Sequence, residues 1–574
     1  MTVIRQKKTI IQKERIMSKS YFDETHCAFG HPKSTFMQWM LTVDHKRIGI
    51  MYAVVMFTFF FVAVAAALTM RFELFAPGQQ FIDAHTFNQA FTLHGVVMVF
   101  LFIIPGIPAV FGNIVMPLMI GAKDVSFPRL NWFTFWLYIV GCIVALSSLF
   151  NFNISDGSLV FNFADTGWTF YAPYSLNTDT NVVTTLVAAF ILGMASILTG
   201  LNFLVTIHRL RAPGMDFFKM PLFVWGIYAT AWIQLLATPV IGITLVLALL
   251  EKYFGIGIFD PAKGGDPVLF QHLFWIYSHP AVYLMILPAF GIMSEIIPTF
   301  SRREIFGYRT IALSSASIAG VGYLVWGHHL FTSGMSDLAK TMFSFLTFFV
   351  AIPTGIKFYD WIATMYKGKI VLDTPMLWAL GTIITFAIGG LSGVTIAMIG
   401  ADIHLQDTYY TIAHFHYAML GGVVFLFFAG IHYWFPLVFG KMYSEVKAKI
   451  AFYTLFTGFN LLWFPMFIAG YLGMPRRYFD YLPEFHIYHQ ISFWGAIIFV
   501  SGLIFMFYTL IQGIRNGKPT TPNPWNATTL EWYLPSSPPP LENHTKVPYV
   551  DFRPYEYHHG QPVVKFDENM KRID

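Results

Sequence analysis

The sequence predicts an all-α integral membrane protein of about twelve transmembrane helices in one bundle, and three observations carry that expectation. Of 574 residues, 56% are hydrophobic and only 12% charged, whereas a soluble domain carries roughly twice that charged share. Mean hydropathy is +0.56, and long stretches lack the polar face that a globular helix repeats at its own period. Apolar segments of spanning length recur near 50–70, 92–117, 131–152, 183–207, 221–250, 270–298, 308–331, 341–365, 374–400, 409–437, 450–473 and 488–513. Each can cross a hydrocarbon core of about 30 Å as a helix of about 20 residues.

Cations orient these spans. Lys46 and Arg47 precede span 1, and Lys123 and Arg129 lie between spans 2 and 3. Arg209, Arg211 and Lys219 follow span 4, Arg302, Arg303 and Arg309 follow span 6, Lys367 and Lys369 follow span 8, and Lys441, Lys447 and Lys449 follow span 10. Every even-to-odd connection is thus basic, which places both termini in the cytoplasm. Arg476 and Arg477 stand out on the opposite side. The chain divides into a cytoplasmic N-terminal segment (1–49), a twelve-helix domain (50–515) and a Pro-rich cytoplasmic tail (516–574). The polar, basic first residues show no cleavable signal peptide. Cys27 and Cys142 form no disulfide or metal pattern. The basic connections account for the net charge of +5, so no nucleic-acid partner is expected.

Ionisable residues inside a membrane are expensive and usually functional. His94 on span 2, His279 on span 6, His328 and His329 at the end of span 7, and His414 and His416 on span 10 share the outer part of the bilayer. Simple hydrogen-bonding histidines would scatter in depth; a metal cluster explains one level. A helix turns about 100° per residue, so His414 and His416 point about 200° apart and serve two centres. One centre can take His94 as a second axial ligand, the bis-imidazole ligation of an electron-transfer haem. The other is then a five-coordinate haem. His279, His328 and His329 remain as a three-imidazole set suited to copper, zinc or iron. Tyr283, four residues after His279, lies on the same helix face.

These residues resemble subunit I of the haem–copper oxidases, in particular the A-type cytochrome c oxidases. The resemblance runs from DHKRIG at Asp44 to PNPWNATTLEW at Pro522, with HPAVY at His279, WGHHLF at Trp326, IPTGIK at Ile352, QDTYYTIAHFHY ending at Tyr417 and MPRRY at Met474. It implies a bundle enclosing two haems and a copper: His94 and His416 on a low-spin haem, His414 on a high-spin haem, both of the haem A kind. His279, His328 and His329 would hold the copper called CuB, with Tyr283 covalently joined to His279. Dioxygen would be reduced to water between iron and copper, with proton pumping. Arg476, Arg477 and Asp402 would meet haem propionates, Arg71 a haem formyl group, and Trp275 would pack beside the copper. Glu73 resembles a ligand of a peripheral Ca or Na ion.

The resemblance also implies two proton paths. Asp124, Asn113, Asn131 and Asn202 match one. Lys357, Thr354 and Ser294, leading to Tyr283, match the other. Three positions depart from the family's common pattern. Ala281 stands where a glutamate usually ends the first path, and the chain reads YSHPAVY, similar to a branch with YSHPxV; Tyr277 and Ser278 are therefore expected to replace that glutamate. Gln406 replaces a histidine beside Asp407, where magnesium binds in relatives; an amide oxygen still suits magnesium. Val62 and Ala66 occupy positions where related quinol oxidases carry Arg and Asp, so cytochrome c rather than a quinol is the expected donor, with quinol oxidase as the alternative. No cysteine pair for the dicopper CuA centre exists in this chain, so a separate subunit II would carry it. Subunit III, small subunits, a respiratory supercomplex and a bacterial cytoplasmic (inner) membrane complete the expectation.

Overall fold

The computed structural model describes residues 20–30, 32–152, 159–544, 546–547, 549–566 and 572–573. Among them, eleven helices are long and apolar enough to cross a membrane. With one shorter helix they are numbered α1 (His45–Glu73), α2 (Ala84–Gly112), α3 (Pro128–Ser147), α4 (Val182–Arg209), α5 (Leu222–Phe254), α6 (Pro267–Ser301), α7 (Tyr308–Gly322), α8 (Asp337–Met365), α9 (Thr374–Ala397), α10 (Tyr409–Phe439), α11 (Glu445–Tyr471) and α12 (Pro483–Asn516).

The shorter element corrects the seventh expected span. The 308–331 segment is a 15-residue α-helix followed by a 3₁₀ turn at Trp326–Leu330. Adjacent residues of an unbroken α-helix diverge by about 100°, so neighbouring His328 and His329 could not share one target. Unwinding after Gly322 brings their ligand atoms, with that of His279, within 4.8 Å of one another. The expected third span also ends early, at Ser147. Residues Phe150–Phe152 instead pair with Leu159–Phe161 as a β-ribbon.

Depth in the bundle separates the helices. Over their apolar windows α6 and α10 are 89% buried and α2 72%, whereas α8 is only 17% buried. The first three carry His279, His414, His416 and His94, so the histidines sit on the innermost elements. Both α2 and α10 widen into π-helix three residues past a histidine, at Val97–Ile103 and Met419–Val424; such bulges gather at functional sites. Side-chain caps fix the starts of these helices. Asp83 accepts from Thr86 N, Asp266 from Val268 N and Thr408 from Tyr410 N.

Among its described residues the Pro-rich C-terminal segment has no long helix, as its composition predicts, yet they are not loose. Trp525, Leu530, Trp532 and Tyr555 are buried. Trp525 Nε1 donates to the Tyr433 carbonyl of α10, and Tyr555 O–H donates to Glu295 of α6. The segment therefore seals the basic face of the bundle.

Candidate metal centre

A cavity of about 850 Å³ is lined by all six histidines together with Tyr277, Ser278, Ala281, Tyr283 and Thr354. Hydrogen bonds set which imidazole nitrogens face it. His94 Nδ1 pairs with the Ala63 carbonyl at 2.9 Å and His416 Nδ1 with the Ile412 carbonyl at 2.8 Å. His414 Nδ1 pairs with the Gly389 carbonyl at 2.9 Å. Carbonyls only accept, so each Nδ1 carries the proton and each Nε2 keeps its lone pair free. The rings of His94 and His416 lie 6.4 Å apart and 19° from parallel, leaving space for a metal bonded to both at about 2 Å. His414 is held apart from them on the α9 side. A Cβ at Gly393 would fall 2.8 Å from its ring, so only glycine fits there.

The second imidazole set is tighter. His279 Nδ1 and His329 Nε2 are 3.1 Å apart, and the His328 ring lies 4.4 Å from that of His279. One of the two rings donates to the other in this arrangement, and replacing that shared proton by a cation leaves both nitrogens as ligands. Trp275 stacks on His329 at 3.5 Å and donates its indole N–H to Tyr171. Thr347 Oγ1 donates to the Phe343 carbonyl at 2.6 Å, so it can only accept from His328 Nδ1, 3.1 Å away. The Tyr283 ring lies 4.7 Å from that of His279, whose Nε2 is buried without a hydrogen-bond partner.

Arg476 and Arg477 line the cavity, as do Arg71, Asp402 and Gln406. Arg476 pairs with Asp407, while its Nε and the Arg71 Nη1 are buried without partners. Arg477 lies over the Phe91 ring; burial, and then Arg476, pull its pKa down to about 10. Burial, and then Asp407, raise Asp402 to about 7 against the pull of Arg476. Unpartnered buried guanidinium nitrogens facing a cavity fit an anionic group within it.

Other expected site residues lie away from the cavity. Asn131 Nδ2 donates to Asn113 Oδ1 at 2.8 Å, both buried. Asn202 spends its amide on the Phe127 backbone, accepting from the N–H and donating to the carbonyl, which anchors the start of α3. Burial, and then Asp44, push the Asp124 carboxyl well up. Lys357 looks unpartnered in sequence, but its Nζ donates to the Ile311 carbonyl at 3.0 Å and Ser315 Oγ at 2.7 Å. Ser294 Oγ accepts from Trp361 Nε1. Glu73 Oε1 accepts from the Gln80 N–H and Oε2 from those of Phe81 and Ile82, which anchors the loop after α1. Ser278 Oγ is buried and unpartnered at the cavity wall. Sequence reasoning missed Thr347, Ser315, Tyr171 and Trp463, the last stacked on His416 at 3.4 Å.

Fold and site together define a polytopic helical membrane protein with a histidine-lined chamber built for metal cofactors. Residues 47–498 match the family model described as cytochrome c and quinol oxidase polypeptide I, and the chain belongs to that family. It is 43% identical to the cytochrome c oxidase subunit 1 of Thermostichus vulcanus, over 92% of this chain and 94% of that one. It is 41% identical to that of Synechocystis sp. over 95% and 97% of the two chains, and 40% identical to that of Cereibacter sphaeroides over 89% and 95%. A solved heme-copper terminal oxidase dimer shares the fold, with a TM-score of 0.68 at 20% identity over 83% of this chain and 85% of that chain.

Proposed function

We propose that the chain is the catalytic subunit of a terminal respiratory oxidase, reducing O2 to water with electrons from cytochrome c and moving protons across the membrane. The convergence of two imidazole sets and Tyr283 on one chamber carries the reading. His94 and His416 hold a low-spin haem, His414 a high-spin haem, and His279, His328 and His329 a copper; both haems are haem A. When bound, these groups supply electron storage and the O2-binding position. The chain's own part is orientation and protons. Carbonyl partners fix His94, His414 and His416, and Thr347 fixes His328. Tyr283 holds a phenolic proton beside His279, and the orphan Nε2 of His279 suits a covalent bond to its ring.

Protons reach the chamber by two routes. One runs from Asp124 past the Asn113–Asn131 pair, with Asn202 anchoring its wall, toward the hydroxyls of Tyr277 and Ser278, which take the role Ala281 cannot. The other runs from Lys357 past Thr354 to Tyr283, with Ser294 alongside. Arg476, Arg477 and Arg71 neutralise cofactor carboxylates and polar groups, Trp275 buttresses His329, and Asp402, its pKa raised by burial, can take up a proton beside an anion. Asp407, with Gln406, offers oxygens for magnesium at the junction with subunit II, and Glu73, whose Oε1 accepts from a single amide, offers an oxygen to a peripheral Ca or Na ion. Subunit II bearing CuA, subunit III, small subunits and a supercomplex are the partners. The setting is a bacterial inner membrane with both termini, including the 516–574 tail, cytoplasmic. Val62 and Ala66 provide no polar groups for a quinol. Purified complex should oxidise reduced cytochrome c with O2 uptake; oxidation of quinol but not cytochrome c would overturn the donor assignment.

A further inference from the structure

Asp360 is a buried acid that neither route above uses. It lies one turn beyond Lys357 on α8, toward the basic face, where residues three apart share a helix side; it is 3% exposed. Its Oδ2 accepts from Thr310 Oγ1 of α7 at 2.6 Å. One turn along the same α7–α8 seam, Lys357 Nζ donates to Ser315 Oγ and the Ile311 carbonyl, also of α7. Thr354, a further turn on, lines the cavity with Tyr283. The seam is therefore a ladder of proton-bearing groups between two apolar helices.

Its lower end is open in a particular way. Gly307, at φ 64°, lies against the acid: a Cβ there would fall 2.5 Å from Asp360 Oδ2. The same glycine lines a second cavity of about 360 Å³ on the basic face, with Glu304, Arg309 and Arg553. Gly307 thus touches both that cavity and the carboxylate.

We propose that Asp360 is the proton-uptake acid of the Lys357 route, loaded from this second cavity across Gly307. The step moves one proton and no electrons: the carboxylic acid of Asp360 gives its proton to the neutral amine of Lys357, leaving carboxylate and ammonium. Lys357 then passes a proton toward Thr354 and Tyr283, and the carboxylate reloads from water in the cavity. Burial beside Ser315 and one carbonyl, that of Ile311, rather than in a closed salt bridge leaves the lysine free to change charge.

The inference rests on the Lys357 route, so the test separates the two. Turnover of the whole purified complex is compared for wild type, Asp360→Asn, Asp360→Glu and Lys357→Met, with haem bands as the folding control. Asn should slow turnover by about tenfold or more, since a positioned acid contributes at least that, with an altered solvent isotope effect, and Glu should restore most of it. Normal turnover in Asp360→Asn with slow Lys357→Met would overturn the role of Asp360 alone. Normal turnover in both would overturn the Lys357 route itself. If Asp360→Asn loses its haems, Thr310→Val decides. It removes the hydroxyl held by Asp360, and its turnover should fall severalfold with the same isotope signature; no change there would overturn the proposal.

Discussion

Thr347→Val isolates one hydrogen bond to the copper-facing imidazoles. The two side chains have the same shape, and both are β-branched, so α8 is little perturbed. The change removes the acceptor 3.1 Å from His328 Nδ1. An unmet buried donor costs about 1–3 kcal/mol. Losing an outer-shell partner of a ligating histidine lowers metal affinity about 10–100-fold, which is about 1.4–2.8 kcal/mol, and the two magnitudes agree. His94, His414 and His416 keep their carbonyl partners. Haem content should therefore stay at the wild-type level while copper is lost at lower chelator concentration. The assay is copper per haem in the purified complex across a chelator titration. Copper retention identical to wild type would refute the claim that Thr347 sets the His328 tautomer.

Three further outcomes follow from other parts of the site. Tyr277→Phe should lower turnover and pumped protons per electron with haem content normal; unaltered pumping would remove Tyr277 from the route around Ala281. Gly322→Ala places a Cβ 2.8 Å from Cε2 of Tyr283 and closer still to its Cδ2, and overpacking of this kind costs about 1–3 kcal/mol. Its thermal midpoint should fall and its copper content drop, and a variant with both unchanged would contradict the packing. Burial raises the folded-state pKa of Asp402 to about 7 from the ordinary 3.8. The folded protein thus holds that proton more tightly than the unfolded chain, and wild type loses stability as pH rises from about 4 to about 7. Asp402→Asn lacks this loss, so its advantage in thermal midpoint should grow across that window and then level off; a pH-independent difference would refute it.

Much of the site was legible because helical geometry is rigid. The two-residue offset of His414 and His416 forces their imidazoles apart whatever surrounds them, and the structure shows His416 facing His94 and His414 on the α9 side. All six histidines line one chamber, which spans of alternating direction allow only where those residues share a level. Features that depend on where one helix lies beside another were not legible. Ser315 partners Lys357 and Thr347 partners His328 across helix seams that no spacing within one segment reveals. Span 7 was misread for a different reason: its apolar run continues through Tyr323–Val325, although the helix ends at Gly322 so that adjacent histidines can converge. In the tail, prolines masked a signal that was present. Trp525, Trp532 and Tyr555 are aromatic anchors that an exposed linker would not carry.

In the proposed centre, six histidines on α2, α6, α10 and the turn after α7 hold two haems and a copper in one chain. The most direct measurement is a pyridine haemochrome spectrum with copper analysis on the isolated complex, repeated on His416→Ala and His279→Ala variants. Haem A bands with two haems per copy of this chain are expected, with one haem per copy left in the first variant, and copper lost in the second with both haems kept. A complex without haem bands, or one whose copper survives the loss of His279, would contradict it.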